Sequence, residues 1–420
     1  MQHIVNPSAI KGVVQAPPSK SAAQRAIAIA SMAPGLSRLH YPGHSEDVKA
    51  AAAIGAGLGA QIQAKGHVLL VYGGLQWPSH PLDCKESGLC MRMFSAIAAL
   101  FSNPVTITGQ GSLLERPMDM VSRTLGELGV GCSTNNGRAP LKITGPLPGG
   151  RVKVDGSASS QTLTGLLIAA PYAAAPMEIH VENLKSRRYI DLTLQGMAAF
   201  GIQVAHENYQ VFRIDAPQEY IPADFVIEGD WSGAAFLLVA GAIAGELTLT
   251  NLKHDSFQPD RAILEVLQQS GAKVQINSTG VTVRKQSLQA FDFDATHCPD
   301  LFPPLVALAA HCKGTSAIRG VHRLFGKESD RAATLQQEFG KLGVLIVIEG
   351  DVMKIRGGIV GSAVVDSHHD HRIAMACAVA ALAGEGPVTV MDSQAVNKSF
   401  PGFFDVLEDI RAQQDSEPGV

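Results

Sequence analysis

The stretch ELGVGCS, residues 127–133, ends an amphipathic helix on a glycine and runs straight into a β-rich segment. Gly129 suits the left-handed residue that closes a helix, a conformation that side chains disfavour. The same device returns at GLGAQIQ (57–63), AFGIQVA (199–205), QSGAKVQ (269–275) and KLGVLIV (341–347). The central glycines, Gly59, Gly129, Gly201, Gly271 and Gly343, stand 70, 72, 70 and 72 residues apart. A fixed period of that length marks one supersecondary unit repeated along the chain.

A second pattern runs in register with the first. A polar start leads into an Ala-rich apolar helix, at SKSAAQRAIAIA (19–30), ESGLCMRMFSAIAAL (86–100), SSQTLTGLLIAA (159–170), DWSGAAFLLVAGAI (230–243), PDLFPPLVALAA (299–310) and DHRIAMACAVAALAG (370–384). From Ser160 the anchors Asp230, Asp300 and Asp370 follow in 70-residue steps, which makes six units in 420 residues. These helices are apolar nearly all round, so each is expected inside a domain. The sixth unit ends on FFDVLEDI (403–410) without its following strand, and the N-terminal HIV (3–5) and IKGVV (10–14) segments are expected to supply it. The expected fold is α/β: one domain of three units over 19–227, and a second of three units formed by 1–18 and 228–420. The chain then crosses twice between domains.

Composition narrows the class of function. The chain is 46% hydrophobic and 17% charged with a net charge of −4, and no basic stripe marks it for nucleic acid or an acidic membrane. No apolar run reaches the ~18 residues of a membrane helix. Six scattered cysteines without a CxxC pair, and an N-terminus without a leader pattern, lead to an expectation of reduced thiols in the cytoplasm. The tail QQDSEPGV (413–420) is expected to fray.

Helix starts gather free N–H groups and a positive dipole end, which favours anions. Ser and Asp there are ordinary caps, and Asp230 and Ser232 are read that way. Lys20 and Arg372 are different, because a cation at a helix N-terminus opposes the dipole; a bound anion is expected to neutralise each. Further cations sit in polar loops, Arg116 in LLERP and Lys327 with Arg331 in GKESDR, and Lys398 in NKSFPGF. An anionic substrate is the common reading.

PPSKSAAQR (17–25), ERP (115–117), GSASSQ (156–161), SRRYID (186–191), the PD pair at 299–300, GKESDR (326–331), DHR (370–372) and NKSFPGF (397–403) occur in the order and spacing of a known family. Together they resemble 5-enolpyruvylshikimate-3-phosphate synthase over residues 12–407. The resemblance implies two domains, each of three βαβαββ units in an inverse α/β barrel, with the active site in the cleft between them. It implies transfer of the enolpyruvyl group of phosphoenolpyruvate to the 5-hydroxyl of shikimate 3-phosphate, by addition and elimination, with domain closure and without metal or organic cofactor. It implies that Ser21 and Arg25 hold the shikimate carboxylate, Ser159, Ser160 and Ser186 its phosphate, and Tyr189 its ring. Lys20, Gln161, Arg116, Arg331, Arg372 and Lys398 would hold phosphoenolpyruvate, with the Gly88 backbone close by. Asp300 would deprotonate the 5-hydroxyl with help from Lys327, Glu328 would handle the methylene proton, and His371 and Lys398 would lie near the departing phosphate. A monomer is expected, with these two substrates as its partners and no nucleic acid or membrane.

The chain departs from the family pattern at Glu86-Ser87-Gly88-Leu89, where Asn-Ala/Ser-Gly-Thr is usual. A carboxylate at Glu86 sits awkwardly beside a doubly anionic substrate. Three competing readings are weaker. UDP-N-acetylglucosamine enolpyruvyl transferase carries a KN pair and a loop cysteine, whereas here Lys20-Ser21 stands at the start and Cys90 lies in an apolar helix. A metal site at His368-His369-Asp370-His371 lacks the i, i+4 histidine pair. A repeat scaffold would need neither Asp300 with Glu328 nor the anion-binding set.

Overall fold

A computed structural model describes residues 1–277 and 280–415. Twelve α-helices lie among them: α1 (Lys20–Met32), α2 (Glu46–Gly57), α3 (Gly88–Ala98), α4 (Asp119–Glu127), α5 (Gln161–Ala169), α6 (Arg187–Ala199), α7 (Trp231–Ala244), α8 (Ile263–Gln269), α9 (Phe302–Ala309), α10 (Arg331–Lys341), α11 (His371–Ala381) and α12 (Phe403–Asp415). The odd-numbered helices from α1 to α11 are the Ala-rich segments, and nearly every residue of each is buried. The even-numbered helices α2 to α10 end on the repeating glycine, whose φ is +106° at Gly59, +76° at Gly129, +88° at Gly201, +89° at Gly271 and +84° at Gly343. A short strand follows each. α12 runs to Asp415, and the rest of the tail, residues 416–420, lies outside the described part of the chain.

Contacts divide the chain into a contiguous unit, Pro18–Glu228, and a terminal unit, Met1–Pro17 with the chain from Gly229 on. Each has its own apolar core, built in the first around α1, α3 and α5 and in the second around α7, α9 and α11. Each holds three sheets, and five of the six share one four-stranded topology. In the first sheet of the contiguous unit the order is Asp224–Val226, Gly35–His40, Val68–Gly73, Gln61–Lys65. Its first pair is parallel and the other two pairs are antiparallel. In the four sheets whose parallel strands are consecutive in the chain, a buried helix bridges the pair, because parallel strands need a crossover and the helix covers the sheet face.

The strand that leads into a buried helix is exchanged between repeats one and four. Ile10–Gln15, which precedes α1, pairs in parallel with Gly245–Thr250 of the terminal unit. Asp224–Val226, which precedes α7, pairs in parallel with Gly35–His40 of the contiguous unit. The chain therefore changes unit at Pro17–Pro18 and Glu228–Gly229, each time between a leading strand and its helix. The N-terminal segment is thus split rather than serving the sixth unit alone. Gln2–Val5 joins the sixth sheet, antiparallel to Val388–Met391, while Ile10–Gln15 fills the place vacated in the fourth. Among the described residues the sixth sheet has three strands. No helix among the described residues is long and apolar enough to cross a membrane.

Candidate active site

In the terminal unit the starts of α9, α10 and α11 collect carboxylates and cations around one guanidinium. Asp300 sits on a short turn before α9, Arg331 opens α10, and Asp370 caps α11 by accepting the Arg372 N–H at 2.9 Å. Arg331 is 0% exposed. Its Nε donates to Asp370 Oδ2 at 2.9 Å, its Nη1 to Asp300 Oδ1 at 3.0 Å and its Nη2 to Glu328 Oε2 at 2.7 Å. Arg372 Nη2 donates to Asp300 Oδ2 at 3.0 Å, and Lys327 Nζ lies 3.6 Å from Asp300 Oδ1. Lys398 Nζ lies 3.7 Å from Glu328 Oε1. His371 is buried beside them, its Nδ1 3.8 Å from Asp370 Oδ1.

The charges decide the protonation states. Burial alone would raise the Asp300 pKa, but Arg372, Lys327 and Arg331 outweigh it and hold the carboxyl well below the usual carboxylate range. Burial lowers the Lys327 pKa, with the neighbouring Asp300 opposing it. Asp300 is therefore an ionised acceptor enclosed by three cations, with Glu328 a second carboxylate bridged to it through Arg331.

In the contiguous unit two groups form at helix starts. Arg25 on α1 donates to Ser21 O at 2.9 Å, to Thr193 Oγ1 at 2.9 Å and to Tyr189 O at 3.4 Å, and its guanidinium stands 5.8 Å from the Tyr189 ring centroid. Burial lowers its pKa to about 10, with Tyr189 opposing. Ser159 Oγ accepts the Gln161 N–H, Ser160 is the N-cap of α5, and Ser186 is the N-cap of α6 in a left-handed conformation, φ +56°. The second group surrounds Gly88. Arg92 Nη1 donates to Gln161 Oε1 at 3.0 Å, and a Cβ placed on Gly88 would stand 2.9 Å from Nη1 of both Arg92 and Arg116. Lys20 Nζ lies 3.0 Å from Asp47 Oδ2.

The expected residues thus fall in one group in the terminal unit and two in the contiguous unit, and protein carboxylates stand beside the cations at the helix starts. Asp47 balances Lys20 and Asp300 balances Arg372, each close enough to offset the opposing dipole. Cys90 is a buried thiol whose pKa burial pushes up, as its apolar setting implied. His368 and His369 are loop residues, with His368 Nε2 2.9 Å from Glu338 Oε1 and His369 Nδ1 2.8 Å from Asp392 Oδ2. The Glu86 carboxylate lies over Gly111, where an added Cβ would collide with Oε1. Sequence reasoning passed over Asp47 and Asp260, and named Arg92 and Asp370 only as helix-start residues without a role in the site. Each carries the signature of an ordinary helix-start or helix-face residue, and nothing local distinguishes it.

Comparison with known proteins follows this geometry. The family model for EPSP synthase (3-phosphoshikimate 1-carboxyvinyltransferase) matches residues 4–407. A 3-phosphoshikimate 1-carboxyvinyltransferase of Aeropyrum pernix is 37% identical over 417 residues, covering 99% of this chain and 97% of that protein. One from Methanocorpusculum labreanum is 37% identical over 425 residues, covering 99% and 100%. The solved EPSP synthase of Acinetobacter baumannii superposes with a TM-score of 0.82 at 25% identity, over 98% of each chain.

Proposed function

Because the chain belongs to the EPSP synthase family, we propose that its chemistry is carried by the charged networks at the helix starts of its two units. It is a transferase that moves the carboxyvinyl group of phosphoenolpyruvate to shikimate 3-phosphate, a step of chorismate and aromatic amino-acid biosynthesis. The acceptor is the 5-hydroxyl and the leaving group is phosphate. The observation that carries the residue assignment is the ionised Asp300 enclosed by Arg372, Lys327 and Arg331.

In this reading Asp300 takes the 5-hydroxyl proton as the oxygen attacks C2 of phosphoenolpyruvate, with Lys327 steadying the charge. Glu328 serves the proton that enters and leaves the methylene carbon, while Lys398 and His371 attend the departing phosphate. Phosphoenolpyruvate is doubly anionic, so cations must converge on it, and a guanidinium fork binds carboxylate or phosphate through two bonds. Arg116, Lys20, Gln161 and Arg372 provide that set, with Arg331 fixing the carboxylates against one another. Ser159, Ser160 and Ser186, beside the N-termini of α5 and α6, take the acceptor's phosphate. Ser21, Arg25 and Tyr189 take its carboxylate and ring. A cytoplasmic setting is compatible with six free cysteines.

The test is phosphate release from purified protein with phosphoenolpyruvate and shikimate 3-phosphate, each omitted in turn. Release that needs both is the expected result. Release with UDP-N-acetylglucosamine in place of shikimate 3-phosphate would overturn the acceptor, and silence with both would overturn the reaction.

A further inference from the structure

Asp260 is a carboxyl that the mechanism above does not use. It lies on the short turn Pro259–Ala262 ahead of α8 and is 0% exposed. Its Oδ2 accepts a hydrogen bond from Ser232 Oγ in the first turn of α7, and its Oδ1 is buried with no hydrogen-bond partner. The turn is fixed to the same helix start by Gln258, whose Oε1 accepts the Trp231 N–H at 3.0 Å and whose Nε2 donates to Gly229 O at 2.7 Å. The turn that bears Asp260 and the turn that bears Asp300 both pack against α7, and so does α11, which carries Arg372; the charges of Asp300, Arg372 and Asp230 act on Asp260 across that short space, and its own charge acts on the Cys298 thiol. Two of these, Asp300 and Arg372, are the ion pair at the centre of the proposed chemistry.

Resting on that reading of Asp300, we infer that Asp260 is a positioning residue for the reaction: held by Ser232 and Gln258, it sets its charge against the Arg372–Asp300 pair and governs how readily Asp300 takes a proton. Asp300 bonded to two guanidinium groups is by itself a poor base. A further negative charge close to Arg372 and Asp300 opposes the pull of the guanidinium groups and raises the proton affinity of Asp300. Burial, then Asp300, pushes the Asp260 pKa up to about 7, while Arg372 and the Ser232 hydroxyl oppose the rise. That charge therefore develops near neutral pH, where a base works best.

The sign of the stability effect follows. A carboxyl whose folded pKa is raised contributes stability that is full below the ordinary carboxylate range and lost as pH rises through about 7.

The experiment compares D260N with the unmodified enzyme in phosphate release from shikimate 3-phosphate and phosphoenolpyruvate between pH 5.5 and 8.5, with a thermal melt at each pH. The unmodified enzyme is measured first, because its inactivity would overturn the reaction itself. We expect its kcat to climb through neutrality, and D260N to lose that climb, with kcat at pH 8 down on the order of tenfold and both KM values within about threefold. D260N should also melt higher than the unmodified enzyme at pH 8 relative to pH 5.5. Unaltered pH dependence of kcat in D260N would overturn the inference. Should D260N not fold, S232A carries the test. It removes a hydrogen bond to the charged form, so the climb should move to higher pH, and an unmoved climb would overturn the inference.

Discussion

At Arg331 three carboxylates meet one guanidinium, and the planar fork explains why the position is an arginine. A lysine could offer a point charge, but it could not fix Asp300, Glu328 and Asp370 in set directions. Gly88 shows the opposite economy, since its missing side chain is what leaves the Arg92 and Arg116 forks where they are. Gly88→Ala places a methyl group 2.9 Å from both Nη1 atoms. These are ends of flexible side chains, so they shift and the fold survives. We expect the KM for phosphoenolpyruvate to rise on the order of tenfold or more, the loss of one charge-assisted hydrogen bond of about 1.5–3 kcal/mol, with the melting temperature nearly unchanged. Initial rates against phosphoenolpyruvate check it; an unchanged KM would remove Arg116 from the binding set. At this scale the sequence was readable wherever a residue broke a local rule. Lys20 and Arg372 stood out because cations do not belong at helix starts. Asp47 and Asp260 broke no rule, because an acidic residue near a helix start is ordinary, and only the folded chain brings them to their partners.

Among elements, the repeat is built from a pair of helices that differ in what they bury, one apolar all round and one amphipathic. The left-handed glycine at the end of the amphipathic helix turns the chain back into the sheet. Two substitutions separate backbone conformation from close approach. A Cβ on Gly129 meets nothing within 4 Å, so Gly129→Ala should cost only the left-handed backbone, about 1 kcal/mol. A Cβ on Gly245 would stand 1.9 Å from Ile10 O on the exchanged strand, and Gly245→Ala should cost about 3 kcal/mol or more. Urea unfolding of both variants checks the order, and equal losses would contradict it. The glycines, the buried helices and the six-fold count were legible because period and hydrophobic pattern are local properties. The destination of Ile10–Gln15 was not. A short alternating strand fits many sheet edges, and the pairing with Gly245–Thr250 depends on where the chain crosses.

For the whole molecule, two units of the same design carry different halves of the residue set. The contiguous unit offers serines, Arg25 and Tyr189 at its helix starts, which the proposed reading assigns to the phosphate, carboxylate and ring of the acceptor. The terminal unit offers an ionised carboxylate among cations, suited to moving a proton beside an anion. That division was visible in the sequence only through the ensemble of motifs, because each motif alone reads as a polar loop. The central claim is that Asp300 moves the acceptor's proton and does not hold the ligands. Its removal takes a negative charge from beside Arg372, Arg331 and Lys327, so the attraction for anionic ligands is kept while the base is lost. The most direct measurement is turnover and calorimetric binding on D300A, with a melt to show that the variant is folded. The account predicts a fall in kcat of at least about a hundredfold, with phosphoenolpyruvate and shikimate 3-phosphate still bound. Near-normal kcat, or loss of both ligands from a folded variant, would contradict it.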